Sequence, residues 1–255
     1  IDVTSTVNSA DINISGIDDK KPNVNLKTAY TYPSDPENYN GYVTTVSVEF
    51  DSSDGESGLA MRPYSYDKGE TWERTNKHTY TTDGVYEVYV RDRLGNISKD
   101  FCDPNKSYPN AKCVCSDEVC QIIIDTIDDI PPVCGSWSGE SSTWSKGTRT
   151  ISVGCSDSRS GCTQDRYSTT YSSTIRTTTT SLTLRDKLGN TKTCTKGTNI
   201  YRDNTTPTCG SFTGQSTTWT PNNRTIGLTC SDGESGCTES SFSKTFDNSI
   251  KIGNS

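Results

Sequence analysis

The chain has 255 residues, of which 29% are hydrophobic, and a formal net charge of −7. This apolar fraction predicts several thin cores rather than one large core, because few residues are available to bury carbon. The acidic balance argues against a nucleic-acid partner, since such a protein needs a basic face to displace counterions. No stretch approaches the about 20 apolar residues of a membrane helix. The sequence opens at Ile1 without a signal segment, so we expect any export signal or wall anchor to lie outside these residues.

An internal repeat organises the chain. The segment Pro132–Cys162 aligns without a gap on Pro207–Cys237, at a constant offset of 75 residues. A diverged first copy carries the same landmarks, which are an SDxxSG loop and an RDxLGN turn. Each copy begins with an Asp-x-x-x-Pro step, and its aspartate is called the boundary aspartate below. The boundary aspartates are Asp18, Asp128 and Asp203.

These landmarks predict four parts of the chain. The first repeat is longer than the second, because it carries additional residues after its LGN turn. We read them as a polar excursion without a core of its own. The third repeat ends before any RDxLGN turn and is expected to be incomplete. The predicted parts are 1–16 as the end of a preceding repeat or a linker, 17–127 as repeat 1 with a Cys-rich insertion near 97–120, 128–202 as repeat 2, and 203–255 as repeat 3.

Within the repeats, apolar and polar residues alternate as they do in half-buried strands. Ile151, Val153 and Cys155 alternate with polar or small residues, and Ile226 and Leu228 recur at the same positions in the third copy. The Gly-Asn pair of each LGN sequence predicts a turn that returns the chain as another strand. Short strands without helical periodicity predict an all-β fold, built of tandem immunoglobulin-like β-sandwich repeats.

The stretch Ser65–Trp72 reads SYDKGETW and fits the spacing of the Asp-box, a motif best known from sialidases. Together with DGVYEVYVRDRLGN and the boundary step, it resembles the bacterial Ig-like repeats of Gram-positive surface proteins. The resemblance covers about residues 17–255. It implies a secreted or cell-wall-attached protein in which such modules form a stalk, sometimes carrying an adhesive or catalytic head. We expect the partner to be a host or cell-surface protein or glycan. The cysteines depart from the commonest members of that family.

The Asp-box is predicted to be structural. The sister repeats read YSTTYSSTI and FSKTFDNSI at the aligned positions and have no box. In sialidases the motif has a structural role as well, in which the aspartate binds turn amides and the tryptophan packs beneath the hairpin. The residues to which this role is assigned are Ser65, Asp67, Gly69, Thr71 and Trp72.

No catalytic residues are predicted. His78 is the only histidine, and neither a second imidazole nor a Gly-x-Ser-x-Gly motif supports hydrolase chemistry. The alternative function is a carbohydrate-binding or spacer module of a secreted glycosidase, which would use the tryptophans Trp137, Trp144 and Trp219. Trp144 and Trp219 occupy equivalent positions, and this recurrence favours a core or inter-repeat contact over a glycan platform.

Eleven cysteines in an acidic chain favour disulfides over zinc, and the insertion lacks the Cys-x-x-Cys pairs of common zinc sites. Crossed pairings stay open, but short loop closure favours one bridge across the SDxxSG loop of repeat 2 and one across that of repeat 3, with Cys134 joined to Cys194. Two disulfides of open connectivity are expected in the insertion, and Cys209 is expected to have no partner. The predicted disulfide cysteines are Cys102, Cys113, Cys115, Cys120, Cys134, Cys155, Cys162, Cys194, Cys230 and Cys237.

Acidic clusters at the repeat boundaries could bind calcium, because carboxylate and carbonyl oxygens suit a hard cation. The alternative, that Asp and Pro there only form turns, is favoured. In the SDxxSG loops Asp54, Asp157 and Asp232 are predicted to accept hydrogen bonds from their own loop amides, with a metal role as the less favoured alternative. The boundary residues considered for calcium are Asp18, Asp19, Asp125, Asp128 and Asp129.

Overall fold

A computed structural model describes residues 16–32 and 40–247. These residues form antiparallel strands and contain no helix, so the prediction of an all-β fold is confirmed. No helix that could cross a membrane occurs in this part of the chain. The immunoglobulin-like arrangement and the repeat boundaries stay predictions.

The chain forms two compact units. Unit 1 comprises Ile1–Pro131 together with Asp157–Thr163 and Asp186–Asn190. Unit 2 comprises Pro132–Ser156, Gln164–Arg185 and Thr191–Ser255. The SDxxSG loop and the RDxLGN turn of repeat 2 therefore belong to the unit that is built mainly from repeat 1.

Unit 1 contains three three-stranded sheets, with the orders β1-β2-β4, β3-β6-β7 and β5-β9-β8. Its strands are β1 (Asn23–Tyr32), β2 (Thr45–Ser53), β3 (Leu59–Ser65), β4 (Lys77–Tyr80), β5 (Gly84–Tyr86), β6 (Tyr89–Asp92), β7 (Ile97–Ser98), β8 (Lys112–Ser116) and β9 (Val119–Ile124). Their inward side chains form one buried cluster. Along β2 the strict alternation of Val46, Val48 and Phe50 with polar residues places all three at 0% exposure.

The insertion of repeat 1 contributes to this core, which corrects its reading as a polar excursion. Phe101 and Cys120, within the predicted insertion, are buried in the core of unit 1. Cys120 also begins the inward alternation of β9, which Ile122 and Ile124 continue where β9 pairs with β5. The chain leaves the sheet β3-β6-β7 after β7 and enters the sheet β5-β9-β8, where the Cys120 N–H of β9 donates to the Lys99 carbonyl at 2.9 Å. The insertion therefore packs into the core of unit 1 instead of extending away from it.

Unit 2 contains the sheets β10-β11-β12, β13-β14 and β15-β16-β17. Its strands are β10 (Val133–Ser138), β11 (Arg149–Ser156), β12 (Arg166–Tyr171), β13 (Ile175–Arg185), β14 (Thr191–Arg202), β15 (Thr208–Thr213), β16 (Arg224–Ser231) and β17 (Ser241–Phe246). Its core is thin. Val153, Leu184 and Cys194 form a small buried cluster, to which partly buried aromatic and sulfur-containing side chains are added.

The third repeat has the same strand register as the second but buries less. In the strand register Cys134 of β10 lies opposite Cys155 of β11, and Cys209 of β15 lies opposite Cys230 of β16. Ile151 is fully buried, whereas its counterpart Ile226 is only half-buried. The reason is that the β13–β14 ribbon has no counterpart in repeat 3 among the described residues.

Disulfides join elements that the thin cores hold weakly. Cys134–Cys194 connects β10 with β14 across 60 residues, and such a bridge typically contributes about 2–4 kcal/mol. The insertion has two internal bridges, as expected. Cys155 and Cys162 are disulfide-bonded too, whereas Cys209 has a free and exposed thiol. The other pairs are Cys102–Cys113, Cys115–Cys120 and Cys230–Cys237.

The matched positions Ile151 and Ile226 allow a test of the two cores. We expect Ile151→Ala to lower the free energy of unfolding by about 2–5 kcal/mol, because it empties a fully buried site. Ile226→Ala should lower it clearly less, since its side chain already meets solvent. Urea denaturation of the oxidised chain measures both, and equal losses would contradict the difference in burial.

Candidate functional site: two aspartate triads

Two groups of three aspartates stand out among the described residues. The first consists of Asp18, Asp54 and Asp92, and the second of Asp128, Asp157 and Asp186. In each group one carboxylate oxygen from every member lies within 4.8 Å of the others. We call these groups triad 1 and triad 2. Each combines a boundary aspartate, the aspartate of the SDxxSG loop and that of the RDxLGN turn.

The boundary aspartate ties two parts of the chain together through different atoms. The Asp128 N–H donates to the Val43 carbonyl at 3.0 Å, and the Asp128 carboxylate accepts from the Ser160 N–H at 3.0 Å. A parallel bridge between Val43 and Ile127 supports the first contact. Asp128 is 3% exposed, so its hydrogen bonds replace hydration that burial removes.

The same arrangement recurs in repeat 3. The Asp203 N–H donates to the Ser145 carbonyl at 3.0 Å, and its carboxylate accepts from the Ser235 N–H at 3.1 Å. The pKa of Asp203 is lowered, chiefly by the hydrogen bond from the Thr205 hydroxyl and then by that from the Thr205 N–H. In repeat 1 the Asp18 carboxylate accepts from the Ser57 N–H at 3.0 Å.

The SDxxSG loops are closed by their aspartates, as predicted from the sequence. Asp157 accepts from the N–H groups of Arg159 and Gly161, at 3.0 and 2.8 Å. Asp54 and Asp232 make the equivalent pairs of bonds. These bonds are the local turn chemistry of aspartate, and by themselves they need no metal.

The third members of the triads, Asp92 and Asp186, were not selected as candidates from the sequence. Asp186 is fully buried, and its carboxylate accepts from the N–H and the Nδ2 of Asn190, at 2.8 and 2.7 Å. Asn190 Nδ2 also donates to the Asp128 carbonyl at 2.9 Å and thereby links the turn to the boundary. The recurrence of Asp and Asn in both RDxLGN turns was the sequence signal that could have found them.

The remaining predicted acidic residues lie outside the triads, which corrects the idea that each boundary cluster converges as a whole. Asp125 pairs with Lys112 at 2.7 Å, and Asp129 lies 3.7 Å from the Arg159 guanidinium. Asp19 belongs to neither triad. The reason is spacing, since only the boundary aspartate itself reaches the loop and the turn.

The donor set of triad 2 fits a hard cation. Three carboxylates lie together, and two of them, Asp128 and Asp186, are almost completely buried. Concentrated negative charge with little water favours a bound cation. Ser160 adds a buried hydroxyl that has no hydrogen-bond partner among the described residues. The Ser160 N–H donates to the Asp128 carboxylate, so the Ser160 hydroxyl lies on a residue that already contacts triad 2.

A cysteine group offers no comparable site. The sulfur atoms of Cys102, Cys115 and Cys120 lie close together, but each belongs to a disulfide. A disulfide sulfur is not the thiolate that zinc requires.

The Asp-box closes its own hairpin. Asp67 accepts from the Ser65 hydroxyl at 2.7 Å and from the Thr71 N–H at 2.9 Å, while the Gly69 N–H donates to the Ser65 hydroxyl at 2.7 Å. The Trp72 ring is half-buried, and the Arg91 guanidinium lies 4.1 Å from its centre. These contacts stay within the hairpin and its neighbouring strand, as the structural role requires.

His78 and the tryptophans do not form a shared site. The His78 ring stacks on the Tyr66 ring with 4.3 Å between the ring centres, and burial lowers the pKa of the imidazole. Trp144 packs on Tyr201 at 5.1 Å, whereas its counterpart Trp219 is 73% exposed. Trp137 packs against the small core of unit 2.

Comparisons with known proteins give little further guidance. No family model and no curated protein matches the chain. A solved structure titled "Ca2+-stabilized adhesin helps an Antarctic bacterium reach out and bind ice" is similar at 14% identity, with a TM-score of 0.32. The match covers 84% of this chain and 58% of that one, and likeness at this level carries no functional argument.

The Asp-box predicts a specific response to acid. Hydrogen bonds from the Thr71 hydroxyl, the Thr71 N–H and the Ser65 hydroxyl lower the pKa of Asp67 to about 2. In the unfolded chain this pKa is about 3.9, so the ionised carboxylate stabilises the fold above that pH and loses the effect as the pH falls through about 2. The stability difference between the wild type and Asp67→Asn should therefore shrink between about pH 4 and pH 2.

Thermal unfolding at each pH measures this difference. Glu70→Gln, an exposed carboxylate in the same hairpin, serves as the control. A difference for Asp67→Asn that stays constant across this range would contradict the role of the carboxylate.

Proposed function

We propose that the chain is a segment of an extracellular surface protein, in which Ig-like repeats form a non-catalytic stalk with an adhesive surface. The observation that carries the proposal is the repeated bridge made by Asp128 and Asp203. Each binds a backbone carbonyl of the preceding repeat through its N–H and a loop N–H of its own repeat through its carboxylate. Repeats tied in this way resist separation along the chain.

The cysteines support an extracellular location. Ten of the eleven are bonded as disulfides, and such bonds persist in oxidising compartments. Thin cores explain their use, because small β units with little apolar burial need cross-links. The proposed attachment to a cell wall is supported only by the resemblance to Gram-positive surface repeats.

A non-catalytic role is consistent with the arrangement of polar groups. The imidazole of His78 lies between the rings of Tyr66 and Tyr80. The Asp67 carboxylate of the Asp-box accepts hydrogen bonds from its own hairpin. The candidate partner is a protein or glycan on another cell. It would be bound on the exterior of the repeats, since the buried aspartates Asp128, Asp186 and Asp203 already accept hydrogen bonds within the protein.

Arrayed glycans and host surface proteins provide the functional test. We expect saturable binding of the oxidised chain to at least one arrayed target and no turnover of sialosides. Trp219→Ala, at an exposed position, asks whether a glycan is bound through that ring. Turnover of a sialoside that one point substitution abolishes, or the absence of binding to every class of target, would contradict the proposal.

We further propose that triad 2 binds calcium. The support is its all-oxygen donor set, the burial of Asp128 and Asp186, and the unpartnered Ser160 hydroxyl. A cation there would offset the repulsion among the carboxylates and add to the stability of the unit. The same argument applies more weakly to triad 1, where Asp18 is less buried than its counterpart Asp128.

Calcium should therefore raise the free energy of unfolding, by about 2.7 kcal/mol per site when its concentration is 100 times the dissociation constant. Asp186→Asn should remove most of the gain, whereas Asp125→Asn, outside the triads, should keep it. Denaturation with calcium and with EGTA measures the effect, and calorimetry gives the binding directly. Equal stability in both solutions would contradict calcium binding.

A further inference from the structure

One face of the sheet β15-β16-β17 is apolar and exposed. Phe212, Leu228 and Phe242 lie opposite one another in the strand register, so their side chains form a row across the three strands. Phe212 is 58% exposed and Phe242 is 48% exposed, although both side chains are large and aromatic. We call this row, together with Ile226 of β16 and Cys209 of β15, the open face.

The same face is covered in repeat 2. The residues of its row, in the same register, are Trp137, Val153 and Tyr167. They pack in one cluster with Leu182, Leu184 and Cys194 of the β13–β14 ribbon. Val153 is 0% exposed as a result. Two leucines at alternate positions of one strand, and a cysteine on the other, therefore cover a sheet of this kind.

The thiol of Cys209 points to the same covering element. Cys209 occupies the position of Cys134, which is bonded to Cys194 of the ribbon. Cys209 is instead free and exposed. The apolar row and the thiol are separate features of repeat 3, and in repeat 2 a single ribbon contacts the counterparts of both.

The RDxLGN turn at the end of the ribbon also binds backbone carbonyls. In repeat 2 the Asn190 side chain donates to the Asp128 carbonyl at 2.9 Å, and the Lys187 N–H donates to the Gly161 carbonyl at 2.9 Å. The RDxLGN turn of repeat 1 makes the equivalent two bonds, at 3.1 and 3.0 Å. Both turns therefore fasten the boundary and the SDxxSG loop in the same way.

Repeat 3 has the two carbonyls without such a turn. They belong to Asp203 and Gly236, and no described residue makes either bond to them. Asp203 also forms the junction with repeat 2, through its N–H and the Ser145 carbonyl. The open face is therefore continuous with an interface that the chain already makes.

Repeat 3 differs from repeat 2 at two positions that fix the ribbon by hydroxyl groups. The Tyr167 hydroxyl accepts from a backbone N–H of β13 at 3.0 Å, and the Tyr171 hydroxyl bonds the Thr180 hydroxyl at 2.8 Å. Phe242 and Phe246 stand at these positions in repeat 3. The open face therefore selects its partner by apolar contact and needs no hydroxyl at the position of Thr180.

A second copy of this chain has no ribbon to offer. Its β13–β14 ribbon already covers its own β10-β11-β12 sheet and is fixed there by the Cys134–Cys194 disulfide. Two open faces packed on each other would bring no turn to the carbonyls of Asp203 and Gly236.

We propose that the open face is a docking surface for a two-stranded antiparallel β-ribbon of another protein. The ribbon carries two apolar side chains at alternate positions of one strand and a cysteine on the other strand. Its turn donates to the carbonyls of Asp203 and Gly236. Docking covers the sheet of repeat 3 as β13–β14 covers that of repeat 2, by face-to-face packing.

The disulfide to Cys209 forms by thiol–disulfide exchange. The ribbon cysteine arrives as a mixed disulfide with a small thiol. Cys209 loses its proton to solvent, and its thiolate attacks the ribbon sulfur. The mixed disulfide breaks, and the small thiol leaves with the electron pair of that bond. One disulfide is replaced by another, so no further oxidant is needed.

A synthetic peptide of residues 175–202 tests the proposal, because it is a ribbon of the required kind. Its Cys194 is prepared as a mixed disulfide with nitrothiobenzoate, so that attack by Cys209 of the oxidised full chain releases a coloured thiolate. The control peptide carries Leu182→Ser and Leu184→Ser with the same activated cysteine. Each rate is divided by the rate of Cys209 with dithiobisnitrobenzoate, which removes differences in thiol reactivity.

We expect the ribbon peptide to modify Cys209 about tenfold faster than the control peptide, because burial of two leucines stabilises the docked state. Phe242→Asn in the full chain should reduce this preference to about twofold or less, since it places a polar amide in the row. Ser243→Asn lies on the opposite face of β17 and should leave the preference unchanged. Both positions are exposed, so neither substitution empties a buried site.

Equal rates for the two peptides would overturn the proposal, as would a preference that Phe242→Asn leaves intact. A homodimer linked through Cys209 as the main product of the mixture would assign the face to a second copy instead. Mass mapping locates each adduct, and native disulfides with an unchanged circular dichroism spectrum establish that each variant is folded. None of these results bears on adhesion or on calcium at triad 2.

Discussion

The boundary aspartate is the constraint on which the described structure depends. At Asp128 and Asp203 one residue donates its N–H to the preceding repeat and accepts the N–H of a loop serine with its carboxylate. An alanine at this position would leave the loop N–H without its acceptor. Loss of a buried hydrogen-bond partner costs about 1–3 kcal/mol, a large part of the stability of a small unit.

Hydroxyl pairs explain how strands stay together where apolar residues are few. Thr150 and Thr170 bond across β11 and β12 at 2.8 Å, and Thr225 and Thr245 repeat the contact in the third copy. Ser47 and Thr79 make the same kind of pair in repeat 1 at 2.7 Å. Such cross-strand pairs each contribute a few tenths of a kcal/mol to about 1 kcal/mol, so disulfides and buried aspartate networks supply what the cores do not.

The sequence predicted what depends on local pattern. Period-2 alternation located β11 and β16, and loop closure favoured the pairing of Cys134 with Cys194 that the structure has. It did not predict that Asp92 and Asp186 would lie beside the boundary aspartates. That proximity depends on how the RDxLGN turn packs against a boundary that is far from it in the sequence. The burial of β9 was missed although its sequence, VCQIII, is mostly apolar, because the place of this strand in the core depends on its pairing with the distant strand β5.

Amide hydrogen exchange tests the central claim most directly, because the claim concerns particular N–H groups. In the oxidised chain, the N–H groups of Ser57, Ser160 and Ser235 should exchange more slowly than those of Gly55, Ser158 and Gly233. The latter lie in the same loops and have no hydrogen bond among the described residues. Asp128→Ala should accelerate exchange at Ser160 but not at Ser235. Equal exchange for both groups of amides, or no response to Asp128→Ala, would contradict a structure organised by its boundary aspartates.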